Sequence, residues 1–143
     1  MATATAKRLR GYFQDLLGAG TASEQEVVDL VESGLPLSVL NRLMQRGLSK
    51  GELFEVIIPA RTLKHRKSKR QPLSKEESER VVRTARILAT ASAVLGDDRS
   101  ALSWLRSPKK RFQGRAPILL LATEPGGRLV EEMLIQIDEG MFA

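Results

Sequence analysis

Six of the ten residues from Arg61 to Arg70 are basic and none is acidic. Arg61, Lys64, Arg66, Lys67, Lys69 and Arg70 together carry +6, the formal charge of the whole chain, so the remainder sums to zero. From Thr123 to Ala143 the balance reverses to −4, with Arg128 set against Glu124, Glu131, Glu132, Asp138 and Glu139. This polarity implies two tasks, one directed at a polyanion and one at something else. Arginine can grip a guanine edge with two hydrogen bonds, threonine can reach a base or a phosphate, and lysine chiefly neutralises phosphate. Arg61, Thr62, Lys64, His65, Arg66 and Lys67 are therefore the candidate DNA-binding residues. No aromatic side chain interleaves with them, which favours duplex DNA over stacked single strands or RNA. The competing explanation is a solvated face at a helix end.

Other chemistries have little to work with. The chain has no cysteine, which removes thiolate nucleophiles and disulfides, and one histidine, which removes the common zinc constellations. Glu131 and Glu132 are adjacent and point to different sides of a helix, a poor acid–base pair. Gly126-Gly127 is expected to be a turn, since no P-loop lysine and Ser/Thr pair follows it. We expect no enzymatic activity, no cofactor and no metal. No apolar run approaches the ~20 residues that span a bilayer. Lys7, Arg8 and Arg10 are not followed by the uninterrupted apolar core of a secretory signal. The expected location is the bacterial cytoplasm, with residues 1–22 a flexible N-terminal segment.

The elements that must position these residues read as helices. Ser23-Glu24-Gln25-Glu26 is a capping-box pattern, followed by Val27, Leu30 and Val31 on one face and a stop at Gly34. Pro36 suits the first turn of a second helix whose inner side carries Leu37, Leu40 and Leu43 or Met44, closed by Gly47. Ser49 caps a third helix with Leu53, Phe54 and Ile57. Ile58-Pro59 breaks it, and a fourth helix from about Pro59 to Lys67 is anchored by Leu63. Another capping box, Ser74-Lys75-Glu76-Glu77, starts the longest helix, which runs to about Leu95 with Val81, Val82, Ala85, Leu88, Ala89 and Ser92 inward. After a Gly96-Asp97-Asp98 turn, a short helix from Ser100 to Leu105 carries Trp104. Pro108 to Pro117 reads as loop, then helices from Ile118 to Ala122 and from Gly127 to Asp138. Trp104, Phe112 and Leu119 to Leu121 are expected in the core. Strand signals are weak throughout.

The chain thus reads as all-α, a helix-turn-helix bundle at residues 23–90 joined by the long helix to a small helical domain at 91–143. In the helix-turn-helix, Ser49 to Ile57 crosses the DNA backbone and Pro59 to Lys67 enters the major groove. Free amides at the start of that recognition helix add a phosphate site.

The order Trp104-Leu105-x-x-Pro108, Gly114-x-x-Pro117-x-x-Leu120-Leu121-x-Thr123-Glu124, Val130-Glu131-x-x-Leu134 and a terminal Gly140-x-x-Ala143 resembles the toxin-binding domain of Xre/MbcA/ParS antitoxins. Upstream, Gly34-Leu35-Pro36, Leu48-Ser49-x-x-Glu52-Leu53, Pro59-x-Arg61-Thr62-Leu63-x-x-Arg66-Lys67 and Leu73-Ser74-x-Glu76-Glu77-Ser78 resemble the helix-turn-helix of the same family. The resemblance covers about Ser23 to Ala143. His65 departs from a position where the family often has arginine, and Gln113-Gly114 replaces a commoner Gly-Gly.

The resemblance implies an antitoxin paired with a RES-domain toxin, a protein similar to ADP-ribosyltransferases that acts on NAD by degrading it or by transferring ADP-ribose. It further implies inhibition through the C-terminal domain, operator binding through the helix-turn-helix, and a homodimer or larger toxin–antitoxin assembly. Expected toxin-binding residues are Trp104, Pro117, Glu131, Glu139, Gly140, Met141, Phe142 and Ala143. The competing function is a stand-alone helix-turn-helix transcriptional regulator with a C-terminal dimerisation domain.

Overall fold

In a computed structural model of the chain, the described residues are 11, 14–16 and 23–140. Helices run over Glu24–Ser33 (α1), Ser38–Gln45 (α2), Lys50–Val56 (α3), Ala60–Lys69 (α4), Lys75–Leu95 (α5), Asp98–Arg106 (α6), Pro117–Leu120 (α7) and Glu124–Asp138 (α8), with a single 3-10 turn at Lys110–Phe112. No strand occurs among the described residues; one isolated bridge pairs Lys109 with Arg115. The all-α expectation holds.

The caps explain the boundaries. Ser49 with Glu52 and Ser74 with Glu77 form complete capping boxes at the starts of α3 and α5, each satisfying two amides that a helix start leaves open. At α1 the Ser23 hydroxyl accepts the Glu26 amide hydrogen at 3.1 Å. Gly34 ends α1 at φ +89°, and a β-carbon there would collide with the Leu73 carbonyl oxygen, so both backbone freedom and lack of bulk are needed. That close approach is a seam. The Leu73 amide donates to the Leu35 carbonyl and the Leu35 amide donates to the buried Ser78 hydroxyl, both at 2.9 Å.

Helix α5 is the mast of the molecule. The six expected inward residues are all buried, and Ser78, Thr84, Ile87 and Ala91 are buried as well. A helix buried on nearly every side needs partners all round. α1 and α2 pack against it from the N-terminal half, α6 and α8 from the C-terminal half. Its alanines allow close approach. The helix runs unbroken through position 90, so the two halves share it.

Three expectations are corrected. α8 begins at Glu124 rather than Gly127 because Thr123 accepts the Gly126 amide hydrogen and Pro125 suits the first turn. Gly126 and Gly127 are consequently buried inside the helix and form no turn. Their role is spatial: a β-carbon on Gly127 would lie 2.7 Å from Arg83 Cδ, and one on Gly126 would overlap the Leu120 carbonyl. Met44 and Leu119 are exposed, leaving Leu43, Leu120 and Leu121 as the core members; the four-residue α7 buries Ile118 and Leu120 and turns Leu119 outward. Finally, Asp97, not Ser100, starts α6, its carboxylate accepting the Ser100 amide hydrogen at 2.6 Å.

Candidate DNA-binding face and toxin-binding end

Among the residues of α4, Leu63 alone is buried. With 100° between successive residues, the face opposite Leu63 carries Arg61, Lys64, His65 and Ser68, and all four are exposed. Lys67 is also exposed and Thr62 is half-buried. Pro59 caps α4 without a side-chain bond, so its first-turn amides point outward as donors. The basic residues Arg66, Lys67 and Lys69 occupy the last turn, where cations are favoured by the helix dipole. Before it, Leu53 and Val56 of α3 and the following Ile57 and Ile58 are buried in the core.

Arg66 departs from the exposed placement expected of it. Its Nε and Nη2 donate to the two carboxylate oxygens of Glu77 at 2.9 and 3.2 Å, and its Nη1 donates to Gln71 Oε1 at 3.4 Å. Glu77 is at the same time the capping-box acceptor of the Ser74 amide, at 2.7 Å. Burial pushes the Glu77 carboxyl up, yet the guanidinium and the Ser74 amide outweigh it, and the group rests below the ordinary carboxylate value. The helical period explains the misplacement: Arg66 lies three residues after Leu63, on the inward side.

The other capping-box glutamate works alike. Arg106 of α6 donates through Nε and Nη2 to both oxygens of Glu52 at 2.8 Å and through Nη2 to the Gly47 carbonyl at 2.7 Å. The Arg106 hydrogen bond holds the Glu52 carboxyl low. Thus α3 of the helix-turn-helix is clamped to the C-terminal half, a link across 54 residues that no local pattern signals. Replacing Arg106 with alanine leaves a partly buried carboxylate with only its cap and is expected to cost about 1–3 kcal/mol, measured by urea unfolding. The pH sign follows from the lowered folded-state values of Glu52 and Glu77. Their contribution is complete above the ordinary value of 4.5 and is lost as pH falls through the folded values. Arg106→Ala is expected to flatten that acid limb.

In the C-terminal half, Trp104 is half-buried with the Lys109 ammonium 4.7 Å from its ring centroid, a cation–π arrangement. Burial lowers the Lys109 pKa. Pro117 is buried at the start of α7; it shapes the chain's own loop and offers no surface, a correction to its expected role. Gln113 takes φ +56°, a left-handed conformation uncommon for a residue other than glycine. Glu131 and Glu139 are exposed on α8 and at its end, some distance from Trp104 in sequence. Gly140 leaves the helix at φ +78°, a left-handed exit that suits glycine. Met141, Phe142 and Ala143 lie outside the described residues. Sequence patterns missed the exposed apolar side chains Leu119, Leu129 and Ile135, 42, 49 and 44% exposed.

Residues 26–86 match the antitoxin Xre-like helix-turn-helix domain, and residues 90–140 match the antitoxin Xre/MbcA/ParS C-terminal toxin-binding domain. Over 119 residues the chain is 43% identical to an antitoxin Xre of Pseudomonas putida, an alignment covering 83% of this chain and 75% of that protein. The chain belongs to the Xre antitoxin family. An antitoxin Xre of Yersinia enterocolitica is 29% identical over 120 residues, covering 82% of this chain and 81% of its own length. A Sphingobium protein named Prs ADP-ribosylating antitoxin is 28% identical over 133 residues, with 85 and 84% covered. The family assignment places toxin binding in the half that carries Trp104, Leu119, Leu129, Glu131 and Ile135. No helix among the described residues is long and apolar enough to cross a membrane.

Proposed function

We propose that this antitoxin neutralises a RES-domain toxin acting on NAD, by binding over the toxin's active site with its C-terminal domain, and that it represses its own operon through α4. The observation that carries the first part is the C-terminal surface: acidic side chains at Glu131, Glu132 and Glu139 beside the exposed Leu129 and Ile135. A pocket that holds a pyrophosphate presents cationic groups, and an acidic end is complementary to it. Exposed aliphatic side chains among those acids supply the apolar contact an interface core requires. Gly140, at φ +78°, leaves the helix, and in this proposal Met141, Phe142 and Ala143 are the residues assigned to the toxin's cleft. The ADP-ribosylating designation of the Sphingobium relative fits an NAD-using toxin partner. The proposed assembly is a homodimer or larger complex in the bacterial cytoplasm. Co-elution of the chain with the neighbouring toxin at fixed stoichiometry tests it; separate elution contradicts it.

For operator DNA the carrying observation is the outward face of α4, where Arg61, Lys64 and His65 stand exposed beside the open amides of the first turn. Arg61→Ala is expected to cost about 1–3 kcal/mol of operator affinity while toxin binding is unchanged, and Lys64→Ala to reduce the slope of log affinity against log salt by about one. Gel-shift titrations at several salt concentrations read both. Unchanged binding by both variants removes α4 from the groove.

A further inference from the structure

We infer that Arg66, although part of the basic run, is a positioning residue for DNA reading: paired with Glu77, it orients α4 and touches no DNA. The inference rests on the proposed groove-facing role of α4 and assigns which of its cations read and which one supports.

Ten residues form α4, and one of them, Leu63, is buried. A single apolar anchor fixes a helix's position but leaves rotation about that anchor weakly restrained. The Arg66–Glu77 fork supplies the second point of attachment, one turn further along the helix. Two roughly parallel N–H···O bonds constrain direction as well as distance. The pair is shielded: the Arg66 side chain is 22% exposed and that of Glu77 7%. Glu77 is in turn fixed by the Ser74 cap at the root of α5, a helix buried along most of its length. The Gln71 side chain takes a further Arg66 donor, and the Gln71 amide closes the end of α4 on the Arg66 carbonyl at 2.9 Å. Arg66 therefore has three of its guanidinium hydrogens directed into the protein. Arg61, Lys64 and His65 have none so directed and stand on the far side of the helix.

This arrangement reverses the sign of an ordinary expectation. Glu77 is an acid paired with a member of the basic run, so by charge alone its removal should strengthen binding to a polyanion. If it holds Arg66 and thereby α4, its removal weakens binding.

The test measures fluorescence anisotropy of a labelled duplex from upstream of the chain's own coding region, titrated with full-length protein over a series of potassium chloride concentrations. Arg66→Ala and Glu77→Gln are each expected to weaken binding about tenfold with the salt slope of the wild type. The Arg66→Ala/Glu77→Gln double variant is expected to be no weaker than Arg66→Ala, because the two changes break one interaction. Lys64→Ala, by contrast, is expected to reduce the slope by about one. Glu77→Gln keeps an oxygen for the Ser74 amide, so it carries the test if Arg66→Ala fails to fold; thermal melts and retained toxin neutralisation identify folded variants. A reduced slope for Arg66→Ala, or tighter binding by Glu77→Gln, places Arg66 on a phosphate and overturns the inference while α4 keeps its groove. Wild-type binding by both Arg61→Ala and Lys64→Ala overturns the groove assignment itself, and the positioning role with it.

Discussion

Gly126→Ala is expected to destabilise the chain by about 3–5 kcal/mol, the largest effect of any single small substitution considered. An added β-carbon overlaps the Leu120 carbonyl oxygen and comes within 2.9 Å of both the Leu120 carbonyl carbon and Thr123 Oγ1. Those are backbone and cap atoms, and none can swing aside as a surface side chain would. To make room, the start of α8 must part from α7, and the Thr123 cap on the Gly126 amide must break. Leu121, Val130 and Leu134, all essentially inaccessible, then lose their close packing. Urea unfolding of the purified variant checks this, with toxin neutralisation expected to fall in parallel because the toxin-binding half is the one disrupted. The neighbouring substitution Gly127→Ala is expected to be milder. Its obstacle, 2.7 Å away, is the Arg83 side chain, which can shift, though its 3.1 Å bond to the Leu121 carbonyl is then lost.

Removal of the last four residues, Gly140 to Ala143, is expected to weaken toxin binding by about 2–4 kcal/mol and to leave both thermal stability and operator affinity unchanged. The segment follows the end of α8, whose last buried residue is Leu134. Calorimetric titration of the toxin with full-length and truncated antitoxin measures the difference. Equal affinities would take the tail out of the mechanism and leave inhibition to the exposed surface of α7 and α8.

Local signals made most of the fold legible. Ser49–Glu52 and Ser74–Glu77 announced two helix starts, Gly34 announced a stop, and the alanine- and valine-rich spacing from Val81 to Ser92 announced the mast. Each depends on residues within one or two turns of each other. What sequence reading misplaced depends on distant partners. Gly126-Gly127 has the composition of a turn, and only the nearness of Leu120 and Arg83 makes the pair part of a packed helix. Arg66 is indistinguishable by type from Arg61; the helical period sets it on the side of Leu63, but the partner it meets there, Glu77, lies across a loop. Arg106 and Glu52 belong to opposite halves, and nothing local to either forecasts their pairing. Leu119, expected in the core, is exposed, and Leu129 and Ile135, exposed on α8, carried no signal in the sequence. Of the candidate residues on α4, Arg61, Lys64, His65 and Lys67 are exposed, Thr62 is half-buried and Arg66 is turned onto Glu77; of those named from the family pattern, Glu131 and Glu139 are exposed, Trp104 is half-buried and Pro117 is buried.

The central claim is that this antitoxin silences an NAD-using toxin, and one measurement addresses it directly. NAD consumption or ADP-ribose transfer by the RES-domain toxin proposed as its partner is followed while full-length antitoxin is added in increasing ratio. The account predicts saturable inhibition that is complete at a fixed stoichiometry, with the two proteins co-eluting. Undiminished toxin activity at saturating antitoxin, without co-elution, would contradict it and leave α4 serving a DNA-binding regulator whose C-terminal half answers to another partner.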